Sequence, residues 1–251
     1  MPAGVDQAKR DDARTPARSH FLAAIARKSI GPFAARANDG GVAAWIVAAE
    51  GGGQADLIVV PFGVDGAPLR DARIVANVPR EATSLLVRPT GSGGGGWLVV
   101  WSAILDRGES LTMLELSPDG TVLGAPTDLQ RTSDHVTWTD LVPTDRGALC
   151  LWAEDTAAGD ANILAISIHS NGASRGMPVR VARGVERWAA VGAGGGAALA
   201  LVTRDQGSPA GLLSWLRLDA EGNARGAPVA VGKAPTVSGD IDVVPFHDQW
   251  L

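Results

Sequence analysis

Glycines at 91, 93 and 96 in RPTGSGGGGWLVVW, residues 88 to 101, satisfy the G-x-G-x-x-G spacing with which a dinucleotide-binding loop cradles a pyrophosphate. That chemistry needs a strand before the loop and a helix after it, because the phosphate sits on the helix N-terminus. Here the glycines run into WLVVW, which alternates and is rich in valine, so a strand is expected instead of a helix. The same kind of glycine turn recurs as GAGGG at 192 to 196 and as NDGG at 38 to 41. The glycines are therefore read as strand connections and not as a phosphate site.

Other chemistry is thinly signalled. Two positioned carboxyl groups can act as acid and base on a glycosidic bond, and Asp106 and Asp155 are conceivable participants, but their spacing does not select them from the 27 acidic residues. The four histidines, His20, His135, His169 and His247, show no metal-ligand spacing. Asp240 and Asp242 fall short of the six to eight oxygens that calcium takes, roughly. No G-x-S-x-G nucleophile occurs, and the single cysteine, Cys150 in GALCLWAE, reads as a small buried hydrophobe. No catalytic residue, metal or cofactor is assigned on this basis.

The elements that would position a site are far more legible. Four segments align on a turn glycine: LIVVPFGVDGAPLR, LTMLELSPDGTVLG, ILAISIHSNGASRG and LSWLRLDAEGNARG. Their anchors, Gly66, Gly120, Gly172 and Gly222, are 54, 52 and 50 residues apart. Apolar residues stand four and six positions before each anchor, for example Leu116 and Leu114, with Glu115 between them, which is the period of two of a half-buried strand. After the turn, Pro126, Pro178 and Pro228 recur, and proline suits an outer strand because it cannot donate to a ladder. Upstream lies a strand opened by glycine at 41, 96, 147 and 196, with Trp45, Trp101, Trp152 and Leu201 at equivalent sites. Shorter candidate strands precede these: IGPFAARA, TSLLVRPT, VTWTDLVPT and RWAAVGAG.

Four antiparallel strands in roughly fifty residues describe a propeller blade. The units resemble blades of bacterial β-propeller repeat proteins, and their spacing is similar to that of kelch repeats. The W-D dipeptide of WD40 blades is missing, and the Gly-Gly pairs precede the second strand instead of closing it as in kelch. The expected fold class is thus all-β: a β-propeller over residues 30 to 251, with blades at about 30–78, 79–133, 134–184 and 185–234 and a partial fifth at 235–251. Residues 1–29 are expected to be disordered or a short helix around SHFLAAIARK. DIDVVP and QWL would open the fifth blade, whose remainder would come from another polypeptide or from self-association.

In such a fold the loops of one face collect Arg131, Asp134, His135, Glu154, Asp155 and Arg187, which are the binding candidates. Tryptophans of the second strands are expected between blades, and Trp138 and Trp188 are also expected in the core, with the channel as the other possibility. The net charge of −5 and a pI near 5.3 give no basic footprint for nucleic acid or an anionic membrane. No apolar run approaches a membrane span, and no secretory signal is evident, so a cytoplasmic location is expected if Met1 is the native start. The main expectation is a non-catalytic scaffold for a protein partner or ligand. The alternative is a propeller enzyme acting on carbohydrate through carboxylates at the channel mouth.

Overall fold

The computed structural model describes residues 29–37, 39–48, 53–90, 95–169, 174–193, 195–204 and 211–234, together with the backbone at 245–246 and 249–250. The first blade is β1 (Ser29–Ala37), β2 (Gly40–Ala48), β3 (Gln54–Phe62) and β4 (Arg73–Pro79), hydrogen-bonded in that order. The second repeats it as β5 (Ala82–Pro89), β6 (Trp97–Leu105), β7 (Gly108–Leu116) and β8 (Thr127–Thr132). The third has β9 (Val136–Thr144), β10 (Gly147–Asp155) and β11 (Ala161–His169). Its outer strand is the first part of β12 (Ser174–Ala193), whose second part is the inner strand of the fourth blade, completed by β13 (Gly196–Thr203), β14 (Leu212–Leu218) and β15 (Val229–Lys233). β16 (Pro245–Phe246) and β17 (Gln249–Trp250) form a further antiparallel pair.

The innermost strands pack against one another in succession, β1 on β5, β5 on β9 and β9 on β12. All described pairings are antiparallel, and the strand connectivity with these inner contacts is that of a β-propeller. Period-two alternation supplies the glue. On β2 the side chains of Val42, Ala44 and Ile46 join Leu85, Trp97, Trp101, Leu114 and Leu116 of the next blade in one apolar layer. Leu98, Val100, Leu111 and Met113 meet Ala148, Cys150, Trp152, Ile166 and Ile168 in the second. Leu149, Leu151, Ile163 and Ala165 meet Trp188, Leu199, Leu201, Leu216 and Leu218 in the third. The strand tryptophans 45, 101 and 152 are buried, as the repeat implies. Burying a side chain of leucine size is worth about 1.5–3 kcal/mol, so these layers dominate the cohesion of the blades.

The turn glycines are conformational necessities. Gly66, Gly120 and Gly222 have φ of +78°, +74° and +87°, and each donates its N–H three residues back, to Gly63, Ser117 and Asp219. Gly172 lies outside the described residues. The glycine that opens the second strand faces a different constraint. A Cβ on Gly96, Gly147 or Gly196 would sit 2.4, 2.1 or 2.1 Å from the carbonyl oxygen of Leu116, Ile168 or Leu218. In the first blade the matching residue is Gly40, over Phe62, and not Gly41 as the sequence alignment has it.

Two further readings are corrected. No loop separates the third and fourth blades, because β12 runs through the junction at Gly184, whose φ is +64°. Trp138 is not in the core: it is 52% exposed, whereas Trp188 is buried. The expected helix near residue 20, the Asp240 and Asp242 pair and most of DIDVVP lie outside the described residues.

Candidate functional site

The inner strands bound a central channel of about 340 Å³, lined by Phe33 from β1, Ser84 to Leu86 and Arg88 from β5, Trp138 to Asp140 from β9, and Trp188 to Ala190 from β12. Arg88 stands 3.6 Å from Asp140 across two of these strands. A cleft of about 260 Å³ adjoins the channel between the third and fourth blades and shares Trp138 and Trp188 with it. Its other lining residues include Thr137, Asp155, Asp160, Glu186 and Arg187. Three carboxylates, one arginine and an exposed indole thus gather at one mouth of the channel.

Local structure explains each position. Asp155 ends β10, where its N–H donates to the carbonyl of His135 at 3.0 Å, and Thr137 Oγ1 donates to its Oδ1 at 3.2 Å. Asp160 closes the tight turn after β10, with its main-chain oxygen accepting from Thr156 N–H at 2.7 Å and its carboxylate accepting from the Thr156 hydroxyl. Glu186 and Arg187 lie within β12, at a register shift opposite Thr203 and Val202 that turns both toward the cleft lining. The Arg204 guanidinium donates to Glu186 at 2.9 Å. Among the described residues no three His, Cys, Asp or Glu side chains gather closely enough to hold a metal ion.

Of the sequence candidates, Asp155 and Arg187 come together in this cleft. Arg131, on β8, is spent on Asp128, with N···O distances of 2.8 and 2.6 Å. Asp134 lies exposed in the turn between β8 and β9 and binds Thr132 Oγ1 through its N–H. His135 bonds Glu109 through Nδ1. That hydrogen bond and the charges of Glu109 and Asp155 hold the imidazole pKa above its ordinary value. Glu154 is not a loop residue but a buried strand residue, accepting from Trp152 Nε1 at 3.1 Å and Gln130 Nε2 at 3.3 Å. Asp106 sits in the β6–β7 turn of the second blade, away from the cleft lining.

Asp160 and Glu186 are not among the binding candidates drawn from the sequence, whereas Trp138, for which the channel is the second expectation, lines both the channel and the cleft. A signal existed for the neighbouring carboxylate: at one fixed offset from the opening glycines Gly40, Gly96, Gly147 and Gly196 the repeat places Ala48, Ile104, Asp155 and Arg204, so an acidic residue is a departure there.

No protein-family model matches the chain, and no curated protein matches it. Among solved structures it is similar to sucrose-6-phosphate hydrolase from Lactobacillus gasseri, at 12% identity and a TM-score of 0.40, over 76% of this chain and 46% of that one. It is also similar to a putative glycoside hydrolase from Parabacteroides distasonis, at 12% identity and a TM-score of 0.39, over 88% and 82% of the two chains. A prolyl endopeptidase structure matches at 15% identity and a TM-score of 0.46, over 92% of this chain and 32% of that one. The chain spans about half the length of the first and a third of the last. The propeller assignment rests on strand order and inner-strand contacts, not on these scores.

The expectation of a non-catalytic scaffold is corrected. Asp155, Asp160 and Glu186 line one cleft beside the channel, and this convergence is the feature that separates the enzyme alternative from a scaffold with a bland channel.

Proposed function

We propose that this propeller acts on a carbohydrate, cleaving a glycosidic bond at the cleft between the third and fourth blades. The carrying observation is the meeting of Asp155, Asp160 and Glu186 with the half-exposed indole of Trp138 in one cleft beside the channel. Glycoside hydrolysis needs two carboxyl groups flanking the bond, one to protonate the leaving oxygen and one to activate water or attack carbon. Asp155 and Asp160, from either end of one turn, fill these roles. The indole of Trp138 offers an apolar face for a sugar ring, and Arg187 and the Arg204-bound Glu186 offer hydrogen-bond partners for hydroxyl groups. The reading rests on this cleft and not on the resemblances.

The test is incubation with a panel of oligosaccharides, with released sugars separated by chromatography. The expected result is turnover that falls by about 10²-fold or more in Asp155→Asn and Asp160→Asn, as for loss of a general acid or base. Trp138→Ala should weaken saccharide binding about tenfold, or about 1.4 kcal/mol, while leaving the fold intact. Absence of both turnover and saccharide binding in the full chain would overturn the reading.

A further inference from the structure

Glu109 breaks the repeat. Seven positions before the equivalent apolar residues Phe62, Leu116, Ile168 and Leu218 stand Ala55, Glu109, Ala161 and Gly211, so three blades have a small residue where the second has a carboxylate. Where alanine stands, space between blades stays open: Ala55 lines a gap of about 440 Å³ between the first and second blades, and Ala161 lines the carboxylate cleft. Glu109 instead reaches the third blade, and it is only 6% exposed. One of its oxygens bonds His135 Nδ1, and the other accepts the main-chain N–H of Val136 at 3.1 Å.

The segment it grips runs directly into the cleft lining at Thr137 and Trp138. The His135 carbonyl accepts the Asp155 N–H, Thr137 Oγ1 donates to the Asp155 carboxylate, and Trp138 follows directly. We propose that Glu109 is a positioning residue, clamping His135 and Val136 from the second blade so that Asp155 and Trp138 are held at the cleft on the other side. This rests on the reading of the cleft given above.

The clamp is charge-sensitive. His135 is lifted above the ordinary imidazole pKa first by its hydrogen bond to Glu109 and then by the charges of Glu109 and Asp155. The groups facing it are Glu109 from β7 and Asp155 from β10; Asp134 precedes it in the chain, and Arg131 of β8 is engaged by Asp128. Below the raised pKa the imidazolium and Glu109 form an ion pair. As pH rises through it, the ring becomes neutral and only the Val136 bond keeps its full strength.

The test is an NMR titration of the full chain, without saccharide, following the His135 ring, the Asp155 amide and the Trp138 indole N–H from about pH 5 to 9, the range in which histidine titrates. The expected result is one shared midpoint for all three, above that of a free imidazole. In Glu109→Gln the His135 midpoint should fall, and the Asp155 and Trp138 signals should stop following it. Asp155 and Trp138 signals that stay fixed while His135 titrates in the unaltered chain would overturn the proposal, whether or not the variant folds. Because no saccharide enters, failure of the carbohydrate reading would appear separately, as absent turnover and absent saccharide binding with a normal titration.

Discussion

Glu154 accepts the indole N–H of Trp152 at 3.1 Å, so two residues of β10 buried between the second and third blades satisfy each other. Trp152 is fully buried and Glu154 nearly so. Trp152→Phe keeps most of the apolar bulk but removes this donor, leaving the carboxylate with the Gln130 amide among the described side chains. The expected cost is about 1–3 kcal/mol, the penalty of an under-satisfied buried group. Trp152→Ala should cost about 3–5 kcal/mol. Urea unfolding of the two variants checks both the values and their order.

Gly147 has a φ of +145°, and a Cβ there would lie 2.1 Å from the Ile168 carbonyl oxygen. Gly147→Ala must therefore push β10 off β11 or strain its own backbone. A loss of about 1–3 kcal/mol is expected. Gly124→Ala is the control, because nothing lies within 4 Å of its would-be Cβ and its φ is not in the strained range. Thermal unfolding should separate the two clearly.

Asp119 sits in the third-to-fourth-strand turn of the second blade. Hydrogen bonds from Ser117 and Thr121, with Arg70 at 2.8 Å, lower its pKa to about 2 from 3.8. A depressed carboxylate stabilises the fold above its unfolded pKa, and that contribution disappears as pH falls through the folded value. The stability gap between the unaltered chain and Asp119→Asn should thus be constant from pH 7 down to about 4 and should close between about 4 and 2. Denaturant unfolding at stepped pH measures it; a gap that closes near neutrality would refute the assignment.

Cys150 is fully buried between the second and third blades, and burial pushes its thiol well above the ordinary cysteine pKa. A thiol-specific chromogenic reagent should leave the native chain unlabelled and react with one equivalent after unfolding. Rapid labelling of the folded chain would contradict the packing of that layer.

The periodic parts of this molecule are legible in its sequence. Val42, Ala44 and Ile46 against Ala43 and Trp45 give a two-residue rhythm, and a rhythm repeated at a fixed interval defines both faces of a blade. The site was not readable, because it is made of exceptions. Asp155 was found only as one charged residue among many on a loop face, and Glu154 beside it was placed on the same face although strand alternation sends it inward to Trp152. Arg187 is expected on a loop that does not exist, since glycine at Gly184 looks like a stop but here lets one strand bend from the rim of one blade to the hub of the next. Convergence of Asp160 with Glu186 follows from the β11–β12 register, in which Ala161 pairs with Val185, a pairing between distant parts of the chain that no local pattern encodes.

The uninterrupted β12 has a consequence for how the cleft can move. Trp138 reaches the cleft from the third blade and Trp188 from the fourth, and one twenty-residue strand belongs to both sheets. Val185 of β12 pairs with Ala161 of the third blade and with Thr203 of the fourth, so parting these walls at that point would break ladder pairs. If the cleft takes a saccharide as proposed, its two walls are tied to one strand, and selection among guests would fall to fit and desolvation in place of closure.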